Sequence, residues 1–273
     1  MSTVALLRAS HLGPTVAVTL IATALAVSDG QSPPEALTVT AAVLAGQLCI
    51  GWTNDSVDAE RDVAANRTDK PVAMGAVSGR EVRVAAWLAG VVCVPLSLLL
   101  GPVSAALHLV GVVGSGLAYD LRLKASIWSW APFTVAFGLL PAVVTWAADE
   151  PGWPPLWAMA AGSLLGVSAH LVNTLPDLEA DADAGVCGLP HRLGRTGTRI
   201  ATAVTLTAAT ALLVVAPGGP PTAIGWLVLT LGVVALVAAL VVPWPDRSRA
   251  PFVLIAGVAV ADVVVLVASG PLL

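Results

Sequence analysis

The chain has 273 residues, 57% of them hydrophobic and only 11% charged, with a mean hydropathy of +0.87 and a formal net charge of −4. This excludes an ordinary soluble domain and places the chain among integral membrane proteins. The net charge itself says little about partners, because in a membrane chain the position of each charge matters more than the sum.

Apolar runs able to cross ~30 Å of hydrocarbon at ~1.5 Å per residue predict about nine helices. They fall near residues 12–28, 36–54, 83–100, 103–119, 129–147, 156–176, 199–216, 222–242 and 251–268. The first run leads into "SDGQSPPE" without a small-residue cleavage pattern, so it reads as a retained helix and not a removed signal peptide. The second, "ALTVTAAVLAGQLCIGWT", has no charge and runs directly into "NDSVDAERD", Asn54 to Asp62, where acids crowd together. Gly101 and Pro102 alone separate the third and fourth runs. The sixth ends at a second acid cluster, Asp177, Glu179, Asp181 and Asp183. Cys49, Cys93 and Cys187 are widely spaced, form no metal or redox pattern, and read as packing residues.

With this helix count, every basic residue falls on one side of the membrane. These are Arg8, Arg61, Arg67, Lys70, Arg80, Arg83, Arg122, Lys124, Arg192, Arg195, Arg199, Arg247 and Arg249. By the positive-inside rule that side is cytoplasmic, which puts the amino terminus in the cytosol and the carboxyl terminus outside. The fold class expected is an all-α integral membrane bundle in a single domain over residues 1–273. Cytoplasmic loops 55–82, 120–128 and 177–198 would form its site.

Both acid clusters lie on the basic side and share a spacing. Asn54, Asp58 and Asp62 stand at i, i+4 and i+8, as do Asn173, Asp177 and Asp181. On a helix this spacing drifts only ~40° per step, so each trio lines one face. Carboxylates stacked one turn apart repel one another, and the helix carboxyl end also disfavours negative charge. A hard, oxygen-preferring cation relieves both effects, and without cysteine or nearby histidine ligands Mg²⁺ fits better than Zn²⁺. Mg²⁺ commonly bridges carboxylates to phosphates, so the acids predict a phosphate ligand. The bland alternative is a pair of solvated loops. A transporter with ion-binding acids is a further class, but such sites tend to lie near the bilayer midplane, whereas these clusters lie at one surface.

Basic residues suited to a diphosphate follow the first cluster in "ANRTDKPVAMG", where Arg67 and Lys70 stand. "YDLRLK" offers Tyr119 and Asp120 beside the basic Arg122 and Lys124, and "GVCGLPHRLGRTGTR" offers His191, Arg192, Arg195 and Arg199. Seven tryptophans, Trp128, Trp130, Trp146, Trp153, Trp157, Trp226 and Trp244, fall near predicted interfaces and read as an anchoring belt. Trp52 and Trp87 are candidates to line a cavity or to pack. His170 reads as an interior hydrogen-bonded histidine with acceptor binding as the alternative, and Asp262 as a neutral or helix-paired residue in the last helix.

"NDSVDAERD" with "NRTDKPVAMG", "YDLRLK" and "NTLPDLEADADAG", in this order, resemble the two aspartate-rich motifs and intervening elements of the UbiA superfamily of membrane prenyltransferases. The resemblance covers essentially the whole chain and implies nine transmembrane helices. It also implies Mg²⁺-dependent binding of an isoprenyl diphosphate and transfer of the prenyl chain to an aromatic or other lipophilic acceptor. Carried over by position, the first motif falls on Asn54, Asp58 and Asp62 and the second on Asp177 and Asp181. Asp58, Asp62, Asp177 and Asp181 are the implied metal ligands. Arg67 and Lys70 match the basic pair that grips the diphosphate. Tyr119 and Lys124 match the following tyrosine and lysine, although "YDLRLK" stands where many relatives carry a proline, and Arg192 joins them as a diphosphate contact. The partners expected are the diphosphate, the acceptor and membrane lipid, with no nucleic acid. A terpene cyclase of the same superfamily, in which the prenyl chain attacks itself, is the second reading. The low aromatic content favours transfer, since aromatic faces stabilise migrating cations.

Overall fold

The structure is a computed structural model and describes residues 3–64, 67, 70–183, 185–218, 220–242, 250–268 and 270–272. Arg247, Arg249 and Trp244 lie outside the described residues. Among the described residues every regular element is a helix. We label them α1 (Thr3–Arg8), α2 (Leu12–Ser28), α3 (Pro33–Ala64), α4 (Gly79–Leu98), α5 (Pro102–Leu123), α6 (Ala131–Thr145), α7 (Leu156–Asp183), α8 (Leu189–Val215), α9 (Ala223–Val241) and α10 (Ala250–Ala268). By length and composition α3, α4, α5, α7 and α8 can cross a membrane. Shorter apolar helices occupy α2, α6 and parts of α9 and α10.

Two differences from the sequence expectation matter for the site. The apolar run of α3 stops near residue 54, yet the helix continues to Ala64. Its 32 residues span about 48 Å against about 30 Å of hydrocarbon, so its last turns can project beyond the apolar layer. The first acid cluster therefore stands on a helix and not in a loop. In α7 the α-helix ends at Thr174, passes through a 3₁₀ turn over Leu175–Asp177, and resumes over Leu178–Asp183. Pro176 explains the break, because it has no N–H to donate to the α-helical ladder.

The chain divides into two compact units. The first comprises Met1–Arg122 and Ala142–Gly152. Its helix α4 starts earlier than the hydropathy suggested, because Ser78 and Glu81 form a capping box: Ser78 N donates to Glu81 Oε2 at 2.8 Å and Glu81 N donates to Ser78 Oγ at 3.2 Å. Where α3 meets α5, missing side chains permit close approach. A Cβ on Gly116 would lie 2.6 Å from Ile50 Cδ1, and one on Gly46 2.8 Å from Val113 Cγ2. Trp52 donates Nε1–H to the Leu6 carbonyl at 2.8 Å and packs on the cluster of Ala5, Ala9, Val72, Val77 and Val82. It is therefore a packing residue that ties α1 to α3. Trp87 is 73% exposed on α4 and lines no interior of this unit.

The second unit comprises Leu123–Pro141 and Trp153–Leu273. Here α7 lies against α6 through small residues: a Cβ on Gly162 would sit 2.5 Å from the Phe137 carbonyl oxygen, and one on Gly166 would collide with that of Phe133. Asp262 is buried on α10 and accepts a hydrogen bond from Thr210 Oγ1 of α8 at 2.9 Å, so it is helix-paired as expected. Trp128, Trp153 and Trp226 are exposed, as members of an interfacial belt would be. Cys49 and Cys93 are buried and Cys187 is exposed, all three as free thiols.

Candidate active site

In the first unit the site grows from the end of α3. Asp55, Asp58 and Asp62 are all buried, with relative exposures of 2%, 7% and 6%. With Gly51 they form an inward stripe at steps of four, three and four residues, the period of a helix face. Asn54 stands at the edge of that stripe and donates through Nδ2 to Asp120 Oδ1 at 2.8 Å. Asp120 is itself 2% exposed and sits in a π-helical turn, Tyr119–Leu123, at the end of α5. Such turns are rare and commonly mark functional positions.

Burial of carboxylates is costly unless positive charge or hydrogen bonds accompany them. Arg61, one turn along α3, places Nη2 2.7 Å from Asp58 Oδ2. Lys70 Nζ donates to Asp55 Oδ1 at 2.7 Å. His11, in the turn between α1 and α2, brings Nε2 to 2.9 Å from the same oxygen. The same Nε2 lies 3.1 Å from Lys70 Nζ, so the imidazole donates to the carboxylate in one tautomer and accepts from the ammonium in the other. The backbone N–H of Arg67 donates to the Asp62 carbonyl at 3.0 Å, which holds the start of the following segment against the helix.

In the second unit Asn173 is exposed, while Asp177 and Asp181 are partly buried. Arg195 of α8 braces this motif. It holds the Glu179 carboxylate through both Nε and Nη2, and its Nη1 donates to the Leu175 carbonyl at 3.1 Å, stitching the 3₁₀ turn to α8. His191 accepts from the Gly188 N–H at 3.1 Å and points Nε2 toward Asp181 Oδ2 at 3.9 Å. Arg192 is exposed beside it. His170 is buried, lies 2.9 Å from Ser129 Oγ through Nε2 and packs on Phe133 with ring centroids 4.9 Å apart. That is the interior hydrogen-bonded histidine expected from the sequence. Tyr119 belongs to the first unit and Lys124 to the second, and both are partly buried.

The profile of the UbiA prenyltransferase family matches residues 15–260. The chain belongs to this family. Among curated relatives, it is 34% identical over 181 residues to the bacteriochlorophyll synthase 33 kDa chain of Cereibacter sphaeroides, covering 62% of this chain and 59% of that protein. It is 34% identical over 146 residues to protoheme IX farnesyltransferase 2 of Natronomonas pharaonis, covering 51% and 34%. A third match, digeranylgeranylglyceryl phosphate synthase of Methanopyrus kandleri, is 29% identical over 213 residues and covers 73% of each chain. The chain thus spans about three fifths and about a third of the first two relatives' lengths. The fold is that of a UbiA homologue from Aeropyrum pernix K1, with a TM-score of 0.75, 21% identity, and coverage of 94% of this chain and 98% of that one. A UbiA homologue from Archaeoglobus fulgidus, solved with GPP and Mg²⁺, gives a TM-score of 0.71 at 15% identity, covering 97% and 98%. Family and helices together establish a multi-pass membrane protein.

For this UbiA-family chain the donor set suits a hard divalent cation. Asp58 and Asp62 present oxygens alone, and Asp58 already draws a cation, the Arg61 guanidinium, onto Oδ2. Among the described residues no three histidine, cysteine or acidic side chains converge as a ready-made metal cage. Asp55, Asp120 and His11 also take part in this site. Asp55 was legible in principle, because Gly51, Asp55, Asp58 and Asp62 keep helical spacing. Asp120 lay inside a motif already singled out. His11 carried no sequence signal, and only folding brings it to a residue 44 positions away.

Proposed function

We propose that this protein is a Mg²⁺-dependent prenyltransferase that moves an isoprenyl chain from an allylic diphosphate to an aromatic or other lipophilic acceptor in the cell membrane. The buried acidic stripe Asp55, Asp58 and Asp62, in a chain of this family, carries the reading. A soluble-loop origin would leave such acids in water. In this reading Asp58 and Asp62 of the first motif and Asp177 and Asp181 of the second would be the Mg²⁺ ligands, and Asn54 orients the first group through Asp120. Bound Mg²⁺ would neutralise charge on the diphosphate and so make it a better leaving group.

The protein's own groups supply the remainder. Arg67 and Lys70 stabilise negative charge as it develops on the departing oxygen, and Tyr119, Lys124 and Arg192 add contacts to the phosphates. Cleavage of the allylic C–O bond leaves the electron pair with the diphosphate and an allylic cation on the prenyl chain. Apolar helix faces exclude water from that cation until the acceptor's nucleophile bonds to it and gives up a proton. No protein nucleophile is required. The one-sided distribution of basic residues supports a cytoplasmic location for this chemistry, with the amino terminus in the cytosol.

The test is turnover by the purified full chain with Mg²⁺ and prenyl diphosphates from C10 upward, followed by pyrophosphate release and mass spectrometry of the products. Release of pyrophosphate with a prenylated acceptor supports transfer. A cyclic hydrocarbon formed without acceptor replaces this reading by the terpene cyclase, and absence of turnover with every chain length refutes both. Arg67→Ala is expected to raise KM for the diphosphate about tenfold or more, the loss of one charge-assisted hydrogen bond of ~1.5–3 kcal/mol. An unchanged KM and kcat would remove Arg67 from the site.

A further inference from the structure

We infer that Asp55 and His11 are positioning residues for Lys70, forming a buried clamp that sets the ammonium before the diphosphate arrives. The inference rests on the assignment of Lys70 to the diphosphate.

The geometry is that of a three-membered cluster around one oxygen. Asp55 Oδ1 accepts from Lys70 Nζ at 2.7 Å and lies 2.9 Å from His11 Nε2, which is itself within hydrogen-bond reach of Nζ at 3.1 Å. Asp55 is 2% exposed, Lys70 17% and His11 37% by side chain, so the carboxylate is sealed under its two partners. An ammonium has three protons, and one of Lys70's is directed at Asp55. Lysine carries a flexible four-carbon stem whose rotamer freedom is lost on binding. A buried carboxylate that already fixes Nζ removes much of that loss from the binding step, which is preorganisation.

His11 is held in place by more than this contact. It is the only non-glycine residue among those described with positive φ, at φ 53° and ψ 56°. That conformation is unfavourable for a residue with a Cβ and persists where surrounding contacts over-determine it. Those contacts are visible. Ser10 Oγ donates to the Leu7 carbonyl at 2.7 Å, and Thr15 Oγ1 donates to the Ser10 carbonyl at 2.8 Å. The Ser10 carbonyl also lies so close to α3 that any Cβ on Gly51 would collide with it. Gly51 and Asp55 are one turn apart on α3, so the turn seats on the glycine and delivers His11 to the aspartate.

A merely structural ion pair makes a different prediction from a positioning clamp. We would measure kcat and KM for geranylgeranyl diphosphate with the full chain in detergent and Mg²⁺, for Asp55→Asn, Lys70→Met and the double variant. The expected result is a KM raised about tenfold by Asp55→Asn with kcat changed less than about threefold, and no added effect of Asp55→Asn once Lys70 is methionine. His11→Gly, which relieves the backbone but removes the imidazole, should raise KM, and His11→Gln, which keeps a donor at similar reach, should restore it. Additive effects of Asp55→Asn and Lys70→Met, or an unaltered KM in Asp55→Asn, would overturn the inference. A second readout needs no turnover: acylation of Lys70 by an amine-reactive reagent, followed by peptide mass spectrometry, should be several-fold faster in Asp55→Asn than in the wild type. An equal rate overturns the clamp. Absence of wild-type turnover strikes the proposed function alone, and the acylation rates still decide the positioning.

Discussion

Asp58→Ala is expected to lower turnover of a prenyl diphosphate about a thousandfold or more while the protein still inserts and folds. The magnitude follows from the role: a metal ligand supports several kcal/mol of charge stabilisation on the leaving group, and each ~1.4 kcal/mol is tenfold in rate. Folding should survive for reasons visible in the site. Asp58 is one of three buried carboxylates on one stripe, so its removal relieves mutual repulsion. Its partner Arg61 is 28% exposed and can carry its guanidinium into water when the carboxylate is gone. Unfolding temperature in detergent should therefore stay level or rise while activity disappears, the trade expected where a functional site is built against stability. Asp177→Ala should be equally inactive. Retained activity of both variants with Mg²⁺ present would refute the proposed metal ligands.

Gly162→Leu is expected to destabilise the second unit by about 3 kcal/mol or more, because two backbones would have to separate. A Cβ at this position meets the Phe137 carbonyl oxygen at 2.5 Å, and one turn away Gly166 meets that of Phe133. Neither neighbour is a flexible side chain that could turn aside. Membrane helices associate mainly through close packing and not through a hydrophobic drive, so lost contact between α6 and α7 has little to replace it. The variant should show lower yield of monodisperse protein and a depressed unfolding temperature. Activity should fall with it, since α7 carries Asp177 and Asp181. Gly13→Ala is the control, since a Cβ there meets nothing within 4 Å and alanine is the better helix former. A Gly162→Leu protein as stable as the wild type would show that this helix contact is not tight.

Much of the site was legible before folding because its parts are local. The spacing of Asn54, Asp58 and Asp62 follows one helix face, whereas at Asn173, Asp177 and Asp181 the same spacing is interrupted by the 3₁₀ turn over Leu175–Asp177 and Asn173 is exposed. Arg67 and Lys70 follow the first motif within a few residues. Hydropathy ends α3 near residue 54 while the helix runs to Ala64, because hydropathy reports where oil stops and a helix continues as long as its residues tolerate the ladder. Trp87 carried no mark of its facing and proved to be exposed.

The sequence by itself determined the solvent, the secondary structure class and the acidic and basic chemistry of the site, since each depends on composition or on residues a few positions apart. Only the tertiary structure decided which charges meet. Asp55 reaches His11 across 44 positions and Asn54 reaches Asp120 across 66. No helical period relates residues so far apart. Their distances depend on how α1, α2 and α5 pack on α3, and that packing is set by where glycines such as Gly51 let one backbone touch another.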